Sequence, residues 1–240
     1  MKRMLAQAKA ETAMTLRRGE SLLLALGIPV LLLVFFSLVD VLPTGTHDPV
    51  TFLAPGILAL AVMSTAMVSL AIATGFERQY LVLKRLGTTP LGRPALLTAK
   101  IVSILVVEVA QTAVLVAVAF ALGWHPHGNA GLALLAMLLA TVAFAGLGLL
   151  MAGTLPALTT LAAANGLYLV LLLLGGMVVP LGKLPGPLRA VSRALPAGAL
   201  SDAVHGALSR SASVPGRAWL VLAVWAVVAP VAAAVTFRWE

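Results

Sequence analysis

Apolar residues in this chain come in blocks of about twenty separated by short polar stretches, with neither the alternation of a half-buried strand nor a narrow helical stripe. A block of that length is what a helix needs to cross the hydrocarbon of a bilayer. The pattern predicts six membrane spans, at about 21–42, 50–75, 101–122, 131–151, 159–179 and 218–237. Lipid offers the backbone no hydrogen bonds, so spans built this way are helices. The expected fold is an all-α polytopic membrane protein, one transmembrane domain over 1–240.

The stretches between the blocks carry the organisation. Residues 1–20 mix Lys2, Arg3, Lys9, Arg17 and Arg18 with Ala, Met and Leu, which suits a helix lying at the membrane surface, a floppy tail being the other reading. The turn PTGTHDP at 43–49 has no Lys or Arg, and the turn GTLPAL at 153–158 has no charge at all. Trp124, with Pro126 and Gly128 after it, marks an interfacial turn. From 180 to 217, prolines 180, 185, 187, 196 and 215 punctuate short helical pieces at 188–195 and 199–208, too broken to span. Leu188, Val191 and Leu195 line one side of the first piece and Arg189 and Arg193 the other, so a structured cap is expected there.

The stretch 76–100, FERQYLVLKRLGTTPLGRPALLTAK, gathers Glu77, Arg78, Lys84, Arg85, Arg93 and Lys100 in a chain where only 10% of residues are charged. Tyr80, Leu81, Leu83 and Leu86 recur at helical spacing before Gly87, Thr88, Thr89 and Pro90 end the run. Two readings follow: a solvated basic loop that enforces orientation, or a short helix whose apolar side chains need a partner to cover them. Placing both termini inside puts eleven Lys and Arg on the inner side and leaves five outside, Lys183, Arg189, Arg193, Arg210 and Arg217. The positive-inside rule therefore favours cytoplasmic termini, a cytoplasmic 76–100 and an external 180–217.

Composition closes off whole classes of function. At 61% hydrophobic residues and a mean hydropathy of +1.06, the chain lies far from soluble domains. Its net charge of +8 flanks apolar runs instead of forming a stripe with interleaved aromatics, so membrane lipid and not nucleic acid is the expected contact. There is no cysteine, which excludes disulfides and thiolate chemistry. The first apolar run starts only at Ser21 and lacks a small-residue cleavage pattern, so no cleavable signal is expected. No phosphate-binding G-x-x-x-x-G-K-[ST], H-E-x-x-H or G-x-S-x-G stretch occurs, and His47, His125, His127 and His205 fall in outer connections. No enzyme activity, resident cofactor or metal is expected.

Inside the predicted spans, Glu108 shares a helix face with Gln111 and Thr112, with Lys100 two turns away and able to reach toward it. Asn165 is a second polar group at membrane depth. Such residues serve as interhelical hydrogen bonders or line a substrate route, and Glu108, with no second acid beside it, is expected to tie span 3 to a neighbour. Gly148 with Ala152, and Ala162 with Gly166, give small residues four apart where helices can approach closely.

Two separated runs resemble the permease subunits of type-2 ATP-binding cassette (ABC) exporters. The first is Glu77-Arg78 after span 2, then Leu83, Arg85, Leu86, Thr89-Pro90-Leu91 and Lys100; the second is Gly175, Gly176 and Pro180, then Leu184-Pro185, Leu195-Pro196 and Asp202-Ala203. Ala199 and Leu200 depart from the pattern, standing where many relatives carry an aromatic residue. The resemblance implies a coupling helix within 76–100 that seats in an ATPase. It implies external re-entrant helices between spans 5 and 6, where Gly176, Pro180, Pro185, Pro196 and Asp202 shape the cap, and this accounts for the basic residues outside.

It further implies two copies of a separate ATPase subunit that carry the ATP and Mg, and a second permease, identical or related. The expected activity is export of a hydrophobic, amphipathic or lipid-linked compound, of drug, lipid or polysaccharide type, across the cytoplasmic membrane. An ion-gradient-driven transporter is the alternative, and would need more intramembrane carboxylates than Glu108. A membrane-embedded transferase would need clustered Asp, His or Arg at one interface.

Overall fold

The computed structural model describes residues 19–39, 49–82 and 93–237, with side chains from residue 26 and from residue 98 in the first and last of these. The expected surface helix at 1–20 therefore lies almost wholly outside the described residues. All regular structure among them is helical. Helix α1 is Gly19–Leu38. A continuous helix from Pro49 to Gln79 comprises α2 (Pro49–Met63), a π-helical segment (Ser64–Ser69) and α3 (Leu70–Gln79). Then follow α4 (Arg93–Ala121), α5 (Ala130–Thr154) and α6 (Ala157–Leu174). A 3₁₀ turn (Leu181–Lys183) leads into two shorter helices, α7 (Gly186–Ala194) and α8 (Pro196–Leu208), before α9 (Gly216–Thr236).

Among the described residues, five helices are long and apolar enough to cross a membrane: Pro49–Gln79, Thr98–Ala121, Ala130–Thr154, Ala157–Leu174 and Gly216–Thr236. The apolar stretch Leu26–Leu38 of α1 is shorter. One helix start agrees with the sequence pattern and one helix end departs from it. The helical stretch expected to resume near Arg93 does so, and α4 runs from there straight through the span expected from 101. Helix α6 stops at Leu174, five residues before the expected end, because the chain turns at Gly176 with φ +70, a left-handed conformation that favours glycine.

Helix α5 is the hub. It packs most extensively along α9 and also meets α8, α3 and the π segment. Its buried face is built of small residues, Ala136, Ala140, Ala143, Gly146 and Ala152 among them, around the fully buried Phe144. With no hydrophobic drive between helices in lipid, such close packing is what holds them. A methyl at Gly146 would sit 2.4 Å from the Pro230 nitrogen of α9, and one at Gly148 2.7 Å from the Met67 carbonyl of the π segment. The Gly148–Ala152 pair thus packs within the chain, whereas Ala162 and Gly166 of α6 are exposed. A second buried cluster joins α1, α2 and α4 through Leu33, Leu53, Ile57, Leu115 and the interfacial Trp124.

Helix α8 packs back into the bundle, whereas α7 buries only Ser192. The indole N–H of Trp225, the tenth residue of the 21 in α9, donates to the Ala194 carbonyl at 3.0 Å, so the α7–α8 junction lies level with the middle of α9. The other end of α8 is at the rim, where the Ala207 carbonyl accepts from the Asn129 amide at 2.7 Å just before α5.

Candidate functional site

Three groups of polar residues stand out along the bundle. The first closes the end where α3, α4 and α5 meet. Glu77 Oε2 accepts from Lys100 Nζ at 2.5 Å, with Glu77 18% and Lys100 3% exposed, so a largely buried ion pair ties α3 to α4. Arg78 turns the other way and donates through Nη2 to the Leu155 carbonyl at 2.6 Å, where a cation satisfies an orphan carbonyl just past the C-terminus of α5. Two adjacent residues thus fasten one helix to two others. Lys100 does not reach toward Glu108 as expected, because Glu77 engages it at the helix end.

Beyond Arg78 the helix breaks. Tyr80 has φ −87 and ψ 13, and Leu81 turns left-handed at φ +58. The helical run expected from Tyr80 and Leu81 onward is therefore interrupted at its start. Tyr80 stacks on Phe76, with ring centroids 6.2 Å apart, and is exposed together with Leu81 and Val82. Leu83, Arg85, Leu86, Thr89, Pro90 and Leu91 lie outside the described residues.

The second group is buried in mid-bundle. Glu108 Oε2 lies 2.6 Å from the Thr141 hydroxyl of α5, which is also 2.9 Å from the Met137 carbonyl, while Glu108 Oε1 has no partner. One turn on, Gln111 Oε1 accepts from the Thr65 hydroxyl at 2.9 Å, and Thr65 belongs to the π segment. The widened π turn presents that hydroxyl to α4. Glu108 and Gln111 therefore connect one face of α4 to two different helices. Asn165 does not join them: it is exposed on α6 and donates to its own Leu161 carbonyl at 2.8 Å. Thr65 and Thr141 gave no signal in the sequence, since a threonine within an apolar helix is unremarkable until its neighbour is known.

The third group shapes the α7–α8 cap. Pro180 and Pro185 stand immediately before the 3₁₀ turn and α7, and Pro196 is the first residue of α8, where a missing N–H costs nothing. Arg189 gathers the carbonyls of Leu181, Gly182 and Leu184 at 3.1, 2.5 and 2.9 Å, pinning the loop ahead of α7. Ser192 donates to the Leu174 carbonyl at the end of α6, and Ser201 to Gly176 at 2.9 Å. Ala199 and Leu200 are buried, so aliphatic side chains fill the cap interior. Asp202 is half-buried, and burial raises its carboxyl above the ordinary range against the charges of Arg193, His205 and Arg217. Its neighbour His205, not singled out from the sequence, contacts Phe52 of α2; the packing around its ring lowers its pKa, opposed by the Ser201 and Phe52 carbonyls and Asp202.

These groups supply no nucleophile, base and oxyanion donor converging on one point, and what they do is join helices. A sequence model of the family described as ABC-2 type transporter matches residues 4–208. No curated protein matches the chain closely.

Proposed function

The chain belongs to the ABC-2 type transporter family, and from that premise we propose that it is the permease of an ATP-driven exporter that carries a hydrophobic, amphipathic or lipid-linked compound out across the cytoplasmic membrane. The observation that carries this reading is the family match over 4–208 on a chain with several membrane-length helices. A separate ATPase, present in two copies, holds the ATP and Mg. It engages the stretch that carries Leu83, Arg85, Leu86 and Thr89-Pro90-Leu91. Force arriving there meets Glu77 and Arg78 first, and their ties to Lys100 and Leu155 pass it to α4 and α5 together.

A second permease copy covers the outward face of α6. Ala162, Asn165 and Gly166 are all exposed there, and an amide facing lipid is less favourable than one facing protein. Both termini are cytoplasmic and the α7–α8 cap is external.

Affinity purification of the tagged full chain from its native membrane tests the reading. A co-purified cassette ATPase, in a complex whose mass corresponds to two of each subunit, is the expected result. A chain recovered without any ATP-hydrolysing subunit overturns it.

A further inference from the structure

Helix α9 turns a stripe of bulky aliphatic side chains outward: Leu220, Val224, Val227, Val228, Val231 and Val235 are all exposed. Arg217 heads the same stripe, three residues before Leu220 and seven before Val224, and is exposed as well. Helix α7 lies beside α9, because the Trp225 indole holds the Ala194 carbonyl at 3.0 Å. It buries only Ser192, leaving Leu188 and Val191 exposed on one flank of that residue and Arg193 exposed on the other. Aliphatic side chains of two helices thus lie open next to a pair of arginines.

The two arginines are short of negative charge. Between residues 180 and 237 Asp202 is the sole acid, against Lys183, Arg189, Arg193, Arg210 and Arg217. Arg189 is engaged by three carbonyls of its own loop. Arg193, next to the α7–α8 junction, and Arg217, at the start of α9, both lie near enough to Asp202 for their charges to act on its carboxyl. Neither guanidinium has a hydrogen-bond or ion-pair partner among the described residues. One half-buried carboxyl therefore stands against two guanidiniums, and a cation beside apolar helix surface is costly until an anion reaches it.

The side chains of this face decide what covers it. Helices that pack on helices in a membrane offer small or polar residues, as α6 does with Ala162, Asn165 and Gly166. The α9 stripe offers neither: every member is Leu or Val, a surface suited to acyl chains. A guanidinium, in turn, matches the oxygens of a phosphate with paired N–H donors. Apolar chains joined to a phosphate describe a phospholipid, and the uncompensated arginine selects one with a net negative charge.

We propose that Arg193 and Arg217 form a headgroup site for an anionic phospholipid whose chains lie along the α9 stripe and against Leu188 and Val191 of α7. The phosphate adds the negative charge that Asp202 alone does not supply, and the chains cover side chains that the described helices leave open. Because the site joins the first turn of α9 to the end of α7, the bound lipid fastens the cap to the bundle. The proposal rests on α9 having the length and apolarity of a membrane span, and not on the nature of the cargo.

The chain has no native cysteine, so a fluorophore can be attached at Leu220→Cys in the full chain. In nanodiscs of phosphatidylcholine, acyl-brominated phosphatidylglycerol or acyl-brominated phosphatidylcholine is titrated in and quenches by contact. Phosphatidylglycerol should reach half-maximal quenching at a mole fraction lower by about fivefold for each arginine engaged. Arg193→Gln and Arg217→Gln should each remove one such factor, and the double variant should leave no preference. Equal quenching by the two lipids with both arginines present overturns the proposal, as does a preference that survives the double variant. Quenching by neither lipid overturns it too, because protein then covers the stripe. Should the arginine variants not fold, a label at Leu135→Cys decides with both arginines in place. Leu135 is exposed on α5 at a similar depth, since Gly146 packs on Pro230 and Gly153 on Phe237. A preference confined to Leu220 supports the site, and the same preference at Leu135 is bulk enrichment and refutes it.

Discussion

Glu108 is tolerated in an apolar bundle because the Thr141 hydroxyl reaches it at 2.6 Å. Gln keeps the shape of Glu and can both donate to and accept from that hydroxyl, whereas Leu leaves Thr141 with its own-helix Met137 carbonyl alone. Glu108→Gln should therefore keep the melting temperature of the detergent-solubilised protein, and Glu108→Leu should lower stability by about 1 kcal/mol, as for other interhelical hydrogen bonds in membranes. Thermal unfolding of the two variants side by side checks this; equal stability of Leu and wild type would remove the tie from the account. Burial of Glu108 and Gln111 on one face was legible in the sequence, because three residues along a helix return to the same side. Asn165 was not, since α6 is apolar nearly all round and nothing in its spacing says which side turns inward. His205 escaped for the opposite reason: its partner, Phe52, is 153 residues away.

At the scale of the element, the junction of α3 with α4 and α5 is held by side chains that look, in sequence, like loop residues. The pair Glu77–Lys100 is mostly buried, so losing one partner strands the other charge. Lys100→Met alone should destabilise the protein by about 2 kcal/mol, between the values for exposed and fully buried pairs. Adding Glu77→Gln should restore part of the loss, which a double-mutant cycle in detergent measures; purely additive losses would mean that the pair is not coupled. The charges correctly marked this stretch as special. A helix resuming near Arg93 was legible there too, since Pro90 ends the preceding run, and it continues without a break into the span expected from 101. The end of α6 was hidden, since Met177, Val178 and Val179 continue the apolar run past the glycine where the backbone turns.

At the scale of the whole molecule, the blocks of apolar residues were sufficient to recover an all-helical membrane protein, while which helix packs on which came only from the three-dimensional arrangement. Orientation is open to direct measurement in this cysteine-free chain. An impermeant thiol reagent on intact cells should label Ser211→Cys, exposed beyond α8, and spare Gln79→Cys, exposed at the end of α3, until the cells are opened. The reverse pattern would invert the topology. The π segment also has a consequence for the whole length of Pro49–Gln79. Each residue advances a helix by about 100°, and a π turn absorbs one residue more than an α turn. Above Ser64–Ser69 the helix is oriented for Phe52 and Gly56 to meet α8 and Met177; below it, Glu77 and Arg78 point at Lys100 and Leu155. Both orientations coexist because the wider turn takes up that extra residue: run as regular α-helix throughout, the same sequence would swing its lower half by about 100°, more than a quarter turn, and uncouple the two ends of the molecule without altering any residue at either.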